Sequence, residues 1–196
     1  MSGQIILLHG PSSSGKSTLA LALRDAAPIP FWHFSIDHLR DADVLPGPRT
    51  GQDAFKWSAL RKPFFDGFHG AIAAFAKAGN NLIIEHILDE PDWVVTLKQL
   101  LMPYDVFFVG VECDIDTLNR REKARGDRPI GSAARDYQTV HRGRVYDITV
   151  NGQDDALKNA ALILKLWGSG VRRSEFAVTP AAASRIGSLP IRESGD

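Results

Sequence analysis

The sequence predicts an α/β fold in which a five-stranded parallel sheet lies between layers of helices. Short apolar runs alternate along the chain with longer segments whose apolar residues have helical spacing. Such alternation is typical of a parallel sheet, because each helix carries the chain back to the start of the next strand. The 196 residues, 44% of them apolar, are sufficient for one domain with a substantial core.

Five strands are predicted, one at each apolar run. The runs are five to nine residues long, which is the usual length of a strand rather than of a helix. The predicted strands cover residues 5–9, 31–36, 81–87, 105–113 and 146–150.

Five helices are predicted between and after these strands. The second ends before Gly79 and the third opens with Pro91. Glycine after the last turn and proline in the first turn are typical helix boundaries. The predicted helices cover residues 15–26, about 57–78, 91–101, about 114–124 and 154–167.

The remaining segments define the domain limits. Residues 41–53 contain two prolines and two glycines and are predicted to form a loop between the second strand and the long helix. From residue 169 onward the chain is rich in Ser, Ala and Gly and has no sustained periodicity. We therefore expect one domain at residues 1–168 and a flexible C-terminal tail at residues 169–196.

Charge and composition exclude several classes of protein. Lys and Arg together number 23, as do Asp and Glu, so no overall charge argues for a nucleic acid or an anionic membrane as partner. The single cysteine, Cys113, excludes an intramolecular disulfide and a cysteine-rich zinc site. The sequence lacks both an apolar run of about 20 residues and the pattern of a signal peptide, so a cytoplasmic location is expected. The oligomeric state stays open.

The segment "GPSSSGKS", residues 10–17, is the strongest functional motif and is called the phosphate loop below. It fits the pattern G-x-x-x-x-G-K-[ST] between a predicted strand and a predicted helix, which is the context this pattern requires. Its glycines let successive backbone N–H groups turn toward phosphate oxygens, Lys16 reaches the outer phosphates, and the Ser17 hydroxyl ligates Mg²⁺. The predicted nucleotide-binding residues here are Gly10, Pro11, Ser12, Ser13, Ser14, Gly15, Lys16, Ser17 and Thr18.

A second candidate feature is the basic segment "RREKARGDR", residues 120–128. A flexible arginine-bearing lid over a phosphate site would exclude water and grip the phosphoryl oxygens as charge develops on them. The alternative is a solvated basic helix end that binds its own terminal carbonyl groups. We favour the lid for Arg125 and Arg128, and the solvated helix end for Arg120, Arg121 and Lys123.

Two carboxylates are predicted at the same edge of the sheet as the phosphate loop. Asp37 follows the second strand, and Glu85 lies at the end of the third. Asp37 could accept a proton from a hydroxyl group, position that hydroxyl, or reach a metal through water. It could equally be a helix N-cap. Glu85 is a candidate to support Mg²⁺ beside Ser17, with a structural acid as the alternative.

Four segments together, "GPSSSGKS", "FSIDHL", "ARGDRPIG" and "VHRGRVYDITV", resemble the chloramphenicol phosphotransferase family. This family comprises small P-loop kinases that phosphorylate a hydroxyl group of an antibiotic, and the resemblance covers most of residues 4–167. It implies an adenylate-kinase-like three-layer fold, ATP and Mg²⁺ as cofactors, and a small molecule as acceptor. It also implies roles for individual residues: Asp37 as catalytic base, Lys16 and Ser17 as phosphate and Mg²⁺ contacts, and Arg125 and Arg128 as lid arginines.

By the same resemblance, adenine is expected near the end of the fifth strand, at Val150, Asn151 and Gly152. A pocket for a neutral acceptor is built mainly from apolar and aromatic residues. The candidates are Phe31, Trp32, Phe55, Trp57, Phe64 and Phe65, although ordinary core packing is the better interpretation for any single one of them.

The predicted function is transfer of the γ-phosphoryl group of ATP to a hydroxyl of a small molecule, with chloramphenicol or a similar antibiotic as one candidate acceptor. A kinase acting on another metabolite or on a sugar nucleotide is one alternative. A non-catalytic nucleotide-binding module is another. Asp37 and the arginine lid favour an enzyme, because a passive binder needs neither a base near an acceptor nor a closing clamp.

Overall fold

The computed structural model describes residues 2–42, 44, 46, 56–125 and 131–177, and of Arg125 it describes the backbone alone. Five strands form one sheet in the order β2-β3-β1-β4-β5, and every neighbouring pair is parallel. The predicted α/β fold with a five-stranded parallel sheet is confirmed. The strands are β1 Gln4–His9, β2 Trp32–Ser35, β3 Leu82–His86, β4 Asp105–Glu112 and β5 Ile148–Asn151.

Seven helices occur in the described part of the chain, two more than the sequence predicts. The additional helices, α2 and α6, have six and eight residues, too few to show a clear helical period. The helices are α1 Lys16–Ala26, α2 Ile36–Asp41, α3 Trp57–Lys77, α4 Pro91–Leu101, α5 Ile115–Arg125, α6 Ser132–Thr139 and α7 Ala156–Gly168. Within the described ranges, none of them has the length and apolar character needed to cross a membrane.

The sheet is buried on both faces, which gives the molecule three layers. Ile5 and Leu7 of β1 belong to the core beneath α3 and α4, whereas Ile6 and Leu8 belong to the core beneath α1 and α7. All four side chains are completely buried. Because successive side chains of a strand point to opposite faces, an unbroken apolar run is what a central strand of this kind requires.

Residues 171–177 differ from the predicted tail, because they pack against the edge of the domain. The Arg172 guanidinium binds both carboxylate oxygens of Asp105, at 2.7 and 2.8 Å. The backbone N–H groups of Arg173 and Ser174 donate to Asp147. Phe176 is buried, with its ring 4.8 Å from that of Phe108. The ordered domain therefore extends beyond residue 168, and the rest of the predicted tail, residues 178–196, lies outside the described residues.

Candidate active site

A cavity of about 1020 Å³ opens at the carboxyl ends of the strands. The phosphate loop, α2, α3 and the β3–α4 connection contribute to its walls, together with one face of α5 and the start of α7. Ligands of open parallel sheets bind at this edge. The volume is at the upper end of the range for small-molecule sites.

The phosphate loop curls tightly between β1 and α1. Gly15 has φ of 102°, in the left-handed region, and is the last residue before α1 begins. Gly10 lies so close to β4 that a Cβ atom there would be 2.3 Å from the carbonyl oxygen of Val111. These two positions therefore require glycine. The curl leaves the N-terminus of α1 facing the cavity, where its N–H groups and dipole favour an anion.

Lys16 places its charge inside this loop. Its side chain is largely buried, and Nζ donates to the carbonyl oxygens of Gly10 and Pro11 at 2.8 and 2.7 Å. The ammonium group thus lies where phosphate oxygens can bind it, as the motif predicts.

Ser17 and Glu85 meet, as expected for a magnesium site. The Ser17 hydroxyl donates to Oε2 of Glu85 at 2.8 Å, and Nε2 of His33 lies 2.6 Å from Oε1. Burial alone would raise the pKa of Glu85, but the hydrogen bond from His33, the charge of Lys16 and the Ser17 hydroxyl outweigh it and hold the pKa below its ordinary value. The carboxylate is therefore ionised at neutral pH.

This donor set fits Mg²⁺ bound together with phosphate. The described residues contain no group of three or more His, Cys, Asp or Glu side chains that could hold a metal on their own. Mg²⁺ commonly takes one or two protein oxygen atoms, phosphate oxygens and several waters. The Ser17 hydroxyl, supported by Glu85, is suited to that arrangement.

Asp37 lies on the cavity wall in the first turn of α2. Its carboxylate is 22% exposed and lies 3.3 Å from Nη1 of Arg40. The N-cap of α2 is Ser35, whose hydroxyl accepts a hydrogen bond from the backbone N–H of Asp37. The alternative interpretation of Asp37 as an N-cap is therefore wrong, and the structure brings its carboxylate to the cavity that contains Lys16.

Arg121 is a site residue that the sequence interpretation assigned to solvent. Its guanidinium donates to the carbonyl oxygens of Ser13 and Gly152, at 3.3 and 3.1 Å, and so joins the phosphate loop to the turn after β5. Arg121 follows the buried residue Leu118 by three positions on α5, which places both on its inward face. The spacing of three residues from the apolar Leu118 is the sequence signal that could have identified Arg121 as facing the site. Its neighbour Arg120 is exposed, as expected.

The end of the predicted lid segment, residues 126–128, lies outside the described residues. Arg128 is among the residues not described, and Arg125 is placed only as the last residue of α5. The described flanks of the segment are joined by Glu122, which is buried and accepts hydrogen bonds from the backbone N–H groups of Gly131 and Ala133, each at 2.8 Å. Glu122 thereby ties the end of α5 to the start of α6, and the lid roles of the two arginines stay predictions.

The end of β5 contributes one of its three predicted nucleotide-binding residues to the cavity. Gly152 lines it, and a Cβ atom at this position would lie 1.8 Å from the carbonyl oxygen of Ser14. Val150 is instead part of the core beneath α1 and α7, and Asn151 does not line the cavity. The turn that follows β5, rather than the strand itself, faces the site.

One side of the cavity is an aromatic wall formed by Trp57, Phe64, Phe65 and Trp93. The rings of Phe65 and Trp93 are stacked, with centroids 4.0 Å apart, and the Arg61 guanidinium lies 4.5 Å from the Trp93 ring. Three of the predicted aromatic candidates, Trp57, Phe64 and Phe65, thus line the cavity, and Phe64 and Phe65 also pack in the core beneath α3 and α4.

The other aromatic candidates do not reach it. Phe31 packs against Trp167 in the opposite core, and Trp32 is 58% exposed on the edge strand. Phe55 lies outside the described residues.

The cationic side chains beside the aromatic wall are paired with carboxylates. Arg61 binds Asp89 at 2.6 Å and also binds Glu90. Arg40 contacts Asp37 and Asp41. This part of the cavity therefore presents flat apolar surfaces, and its two arginines are outnumbered by the four carboxylates that they contact.

Two buried histidines lie at the base of the site, and one of them, His86, lines the cavity. His9 hydrogen-bonds the Tyr146 hydroxyl and the carbonyl oxygen of Ile87, and burial lowers its pKa to about 3. His86 lies 2.9 Å from His69, and burial holds its pKa well below the ordinary value. Their lowered pKa values make both rings weak proton acceptors, which leaves the Asp37 carboxylate on the cavity wall as the better candidate for a base.

Comparisons with known proteins agree with this architecture. Residues 3–167 match the family model described as "Chloramphenicol phosphotransferase-like protein". Two proteins from strains of Mycobacterium tuberculosis, each named "Putative O-phosphotransferase", are 30% identical to the chain over 168 residues, which cover 76% of this chain and 75% of each relative.

Similar solved structures include two kinases and a resistance protein. The APS kinase of Mycobacterium tuberculosis in complex with AMPPNP and APS is 18% identical over 85% of this chain and 98% of that chain, with a TM-score of 0.61. The tunicamycin resistance protein of Deinococcus radiodurans is 16% identical over 85% of this chain and 96% of that chain, with a TM-score of 0.60. The shikimate kinase of Aquifex aeolicus is 17% identical over 85% of this chain and 98% of that chain, with a TM-score of 0.53. At these identities the likeness is one of fold, and the fold is that of P-loop small-molecule kinases. Because the family match spans nearly the whole described domain, the chain belongs to the chloramphenicol phosphotransferase-like family of P-loop kinases.

Proposed function

We propose that this protein transfers the γ-phosphoryl group of ATP to a hydroxyl group of a small molecule. The observation that carries the proposal is that the phosphate loop and the carboxylate of Asp37 line one cavity. A site that only bound nucleotide would need the loop but no carboxylate beside it. The match to relatives named as O-phosphotransferases supports the same reaction.

The phosphate loop would hold the triphosphate. The N–H groups at the start of α1 bind the phosphate oxygens, and the Lys16 ammonium turns from its two carbonyl partners toward the outer phosphates. Arg121 keeps the loop against the turn after β5, so that the triphosphate meets a preformed cradle. Bound Mg²⁺ supplies positive charge to the phosphate oxygens, and Ser17 with Glu85 would hold it.

Asp37 would act on the acceptor. The acceptor oxygen forms a bond to the γ-phosphorus while the bond from that phosphorus to the β–γ bridging oxygen breaks, and ADP leaves. The hydroxyl proton passes to the Asp37 carboxylate. Lys16, and Arg125 and Arg128 from the lid, would neutralise the charge on the transferring group.

The cavity favours a neutral acceptor that carries a flat ring. The aromatic wall offers stacking surfaces, and Arg40 and Arg61 are already paired with carboxylates. A sugar nucleotide would add further negative charge next to Asp37 and Asp89, which disfavours that alternative. Chloramphenicol or a similar antibiotic satisfies these conditions and is our first candidate acceptor.

The test is an ATP-consumption screen with the mass of each product measured. The panel contains chloramphenicol, other neutral hydroxylated antibiotics, nucleosides, sugars and a sugar nucleotide. We expect a product carrying one added phosphoryl group from a neutral aromatic alcohol, and no such product with Asp37→Asn. Turnover confined to the sugar nucleotide would overturn the assignment of the acceptor. ATP binding without transfer to any compound would favour a non-catalytic module.

A further inference from the structure

We infer that His33 is a positioning residue that fixes Glu85 so that its carboxylate orients the Ser17 hydroxyl instead of binding the metal directly. The inference rests on the proposed function, because it takes Ser17 as the protein ligand of a nucleotide-bound Mg²⁺. It adds a residue that no sequence motif identified: the new element is the role of His33, since the support of Mg²⁺ by Glu85 is already part of the sequence prediction.

The pairing of β2 with β3 brings the two side chains together. Ser35 lies opposite Glu85 in the sheet, and His33 lies opposite Ile83. Residues two apart on a strand point to the same face, so His33 and Glu85 are diagonal neighbours on the face that α1 covers. Glu85 can therefore reach Ser17 in the first turn of α1 while His33 holds it from the side. Each of the two side chains, His33 and Glu85, is only 7% exposed.

The hydrogen bonds fix which atoms carry protons. An ionised carboxylate only accepts hydrogen bonds, so Nε2 of His33 is the donor to Oε1 at 2.6 Å. The other oxygen, Oε2, accepts from the Ser17 hydroxyl at 2.8 Å. With its proton directed at Glu85, the Ser17 oxygen presents its lone pairs away from the carboxylate, which is the orientation a metal requires.

The same bonds restrain Glu85 from turning toward the ion. Such a turn would break the bond to His33 and leave a buried N–H group without its partner, at a substantial free-energy cost. Mg²⁺ loses its water ligands reluctantly and commonly keeps several of them. A carboxylate held back in this way can accept hydrogen bonds from those waters, so the geometry suits Mg²⁺.

The ring of His33 is itself held in place by α2. His38 packs edge-on against it, with ring centroids 4.5 Å apart and an interplanar angle of 81°. The helix that carries Asp37 thus also supports the residue that orients Glu85. Helix α2 therefore contributes both to the acceptor side of the site, through Asp37, and to the metal side, through the contact of His38 with His33.

The test compares His33→Phe with His33→Gln. Phenylalanine keeps the ring but loses the donor, whereas the amide nitrogen of glutamine can replace Nε2 as a donor. The measurement is the affinity for ADP by calorimetry, with Mg²⁺ in excess and with EDTA. Mn²⁺ binding to the ADP complex, followed by electron paramagnetic resonance, is a second measurement. His38→Phe is the matched control, because it keeps a ring against His33 and has no hydrogen bond to Glu85.

We expect His33→Phe to reduce the gain in ADP affinity from Mg²⁺ by up to about 10-fold, the lower end of the effect of losing a direct partner of a metal ligand, because His33 acts on Ser17 only through Glu85. Metal-free ADP affinity should stay unchanged. His33→Gln should recover most of the gain, and His38→Phe should retain it. A wild-type protein that binds ADP with no gain from Mg²⁺ would overturn both the proposed function and this inference. A wild-type gain that persists in full in His33→Phe would overturn the inference alone. Equal losses in folded His33→Phe and His33→Gln would assign the effect to packing and overturn it as well.

Discussion

Asp37 is the residue whose substitution best separates a kinase from a nucleotide-binding module. Asp37→Asn keeps the shape of the side chain but removes the basic carboxylate. We expect kcat to fall by about 10²–10⁴, with ATP affinity unchanged. Because Ser35 caps α2, the melting temperature should change little. Asp41→Asn, on the same helix and also in contact with Arg40, is the matched control and should keep full activity. A fully active Asp37→Asn protein would remove Asp37 from the mechanism.

Arg121 gives a second prediction at the scale of the residue. Arg121→Ala removes two hydrogen bonds from a charged group to the phosphate loop and to the turn after β5. Such bonds stabilise a folded structure by about 1.5–3 kcal/mol each. Without them ATP would have to bring the phosphate loop back against the turn, and the cost of one such bond lowers ATP affinity by about 10-fold. The measurement is calorimetric titration with ATP and Mg²⁺. Arg120→Ala, one residue earlier and exposed, should bind normally, and equal effects of the two substitutions would contradict the assigned role.

Side chains differ in how far the sequence alone could place them. Lys16 and Ser17 were predictable, because the motif itself encodes a local backbone shape. Arg121 required the register of α5 in addition, and the sequence interpretation weighed its charge above that register. His33 was beyond reach, because its role depends on the pairing of β2 with β3, which brings together residues about fifty positions apart.

At the scale of the element, the lid is the first subject for testing. Glu122 joins α5 to α6 at the flanks of the segment that contains Arg128. If Arg125 and Arg128 contact the phosphoryl group during transfer, alanine at either position should lower kcat more than it raises the KM for ATP. Steady-state kinetics of the two variants and of Lys123→Ala, an exposed residue of α5, make the comparison. An unchanged kcat with a raised KM would mean that Arg125 and Arg128 contact bound ATP but do not stabilise the transition state.

The segment at residues 171–177 behaves as an element of the fold. Phe176→Ala should lower the free energy of unfolding by about 3–5 kcal/mol, because it empties a buried aromatic position beside Phe108. Truncation after residue 170 should destabilise the protein at least as much, since it also removes the ion pair between Arg172 and Asp105. Denaturant unfolding followed by circular dichroism is the measurement. Truncation after residue 177 keeps all these contacts and is the control; equal stability of the two truncations would contradict the packing.

Elements with strong local patterns were predictable, and those held by distant contacts were not. The five strands and five long helices have runs or periods that the sequence displays. The short helices α2 and α6 lack such a period. Helix α6 begins where Glu122 accepts hydrogen bonds from the N–H groups of the N-cap Gly131 and of Ala133 in the first turn. Residues 171–177 are polar for the most part, so composition indicated a tail. They are held instead by the buried Phe176, by ion pairs of Arg172 and Glu175, and by backbone hydrogen bonds to Asp147.

At the scale of the whole molecule, the phosphate loop, the metal side and the aromatic wall all lie at one edge of a single sheet. The order β2-β3-β1-β4-β5 places β1, which leads into the phosphate loop, in the centre. Asp37 follows β2 at one edge of the sheet, and Gly152 follows β5 at the other. The nucleotide and the acceptor are therefore expected on opposite sides of the loop, with the aromatic wall beside Asp37.

Buried histidines give the whole molecule a predicted sensitivity to acid. Burial lowers the pKa of His9 to about 3 and that of His69 to about 4, and it also lowers the pKa of His86. In the unfolded chain a histidine has a pKa of about 6.5. At pH values between the pKa in the folded protein and the pKa in the unfolded chain, the unfolded chain binds more protons than the folded protein. Each of these histidines therefore lowers the free energy of unfolding by up to about 1.4 kcal/mol for each pH unit that the pH falls.

Above about pH 6.5 these histidines should not change the free energy of unfolding with pH. Between pH 6.5 and pH 5, where most carboxylates do not yet titrate, we expect the free energy of unfolding to decline steadily. Denaturant unfolding at a series of pH values measures this slope. His69→Gln removes one titrating ring while its amide oxygen can still accept from Nε2 of His86, and it should make the slope shallower. A wild-type slope near zero between pH 6.5 and pH 5 would mean that the buried rings take up protons as readily in the folded protein as in the unfolded chain, and the neutral histidines beneath the site would have to be reassigned.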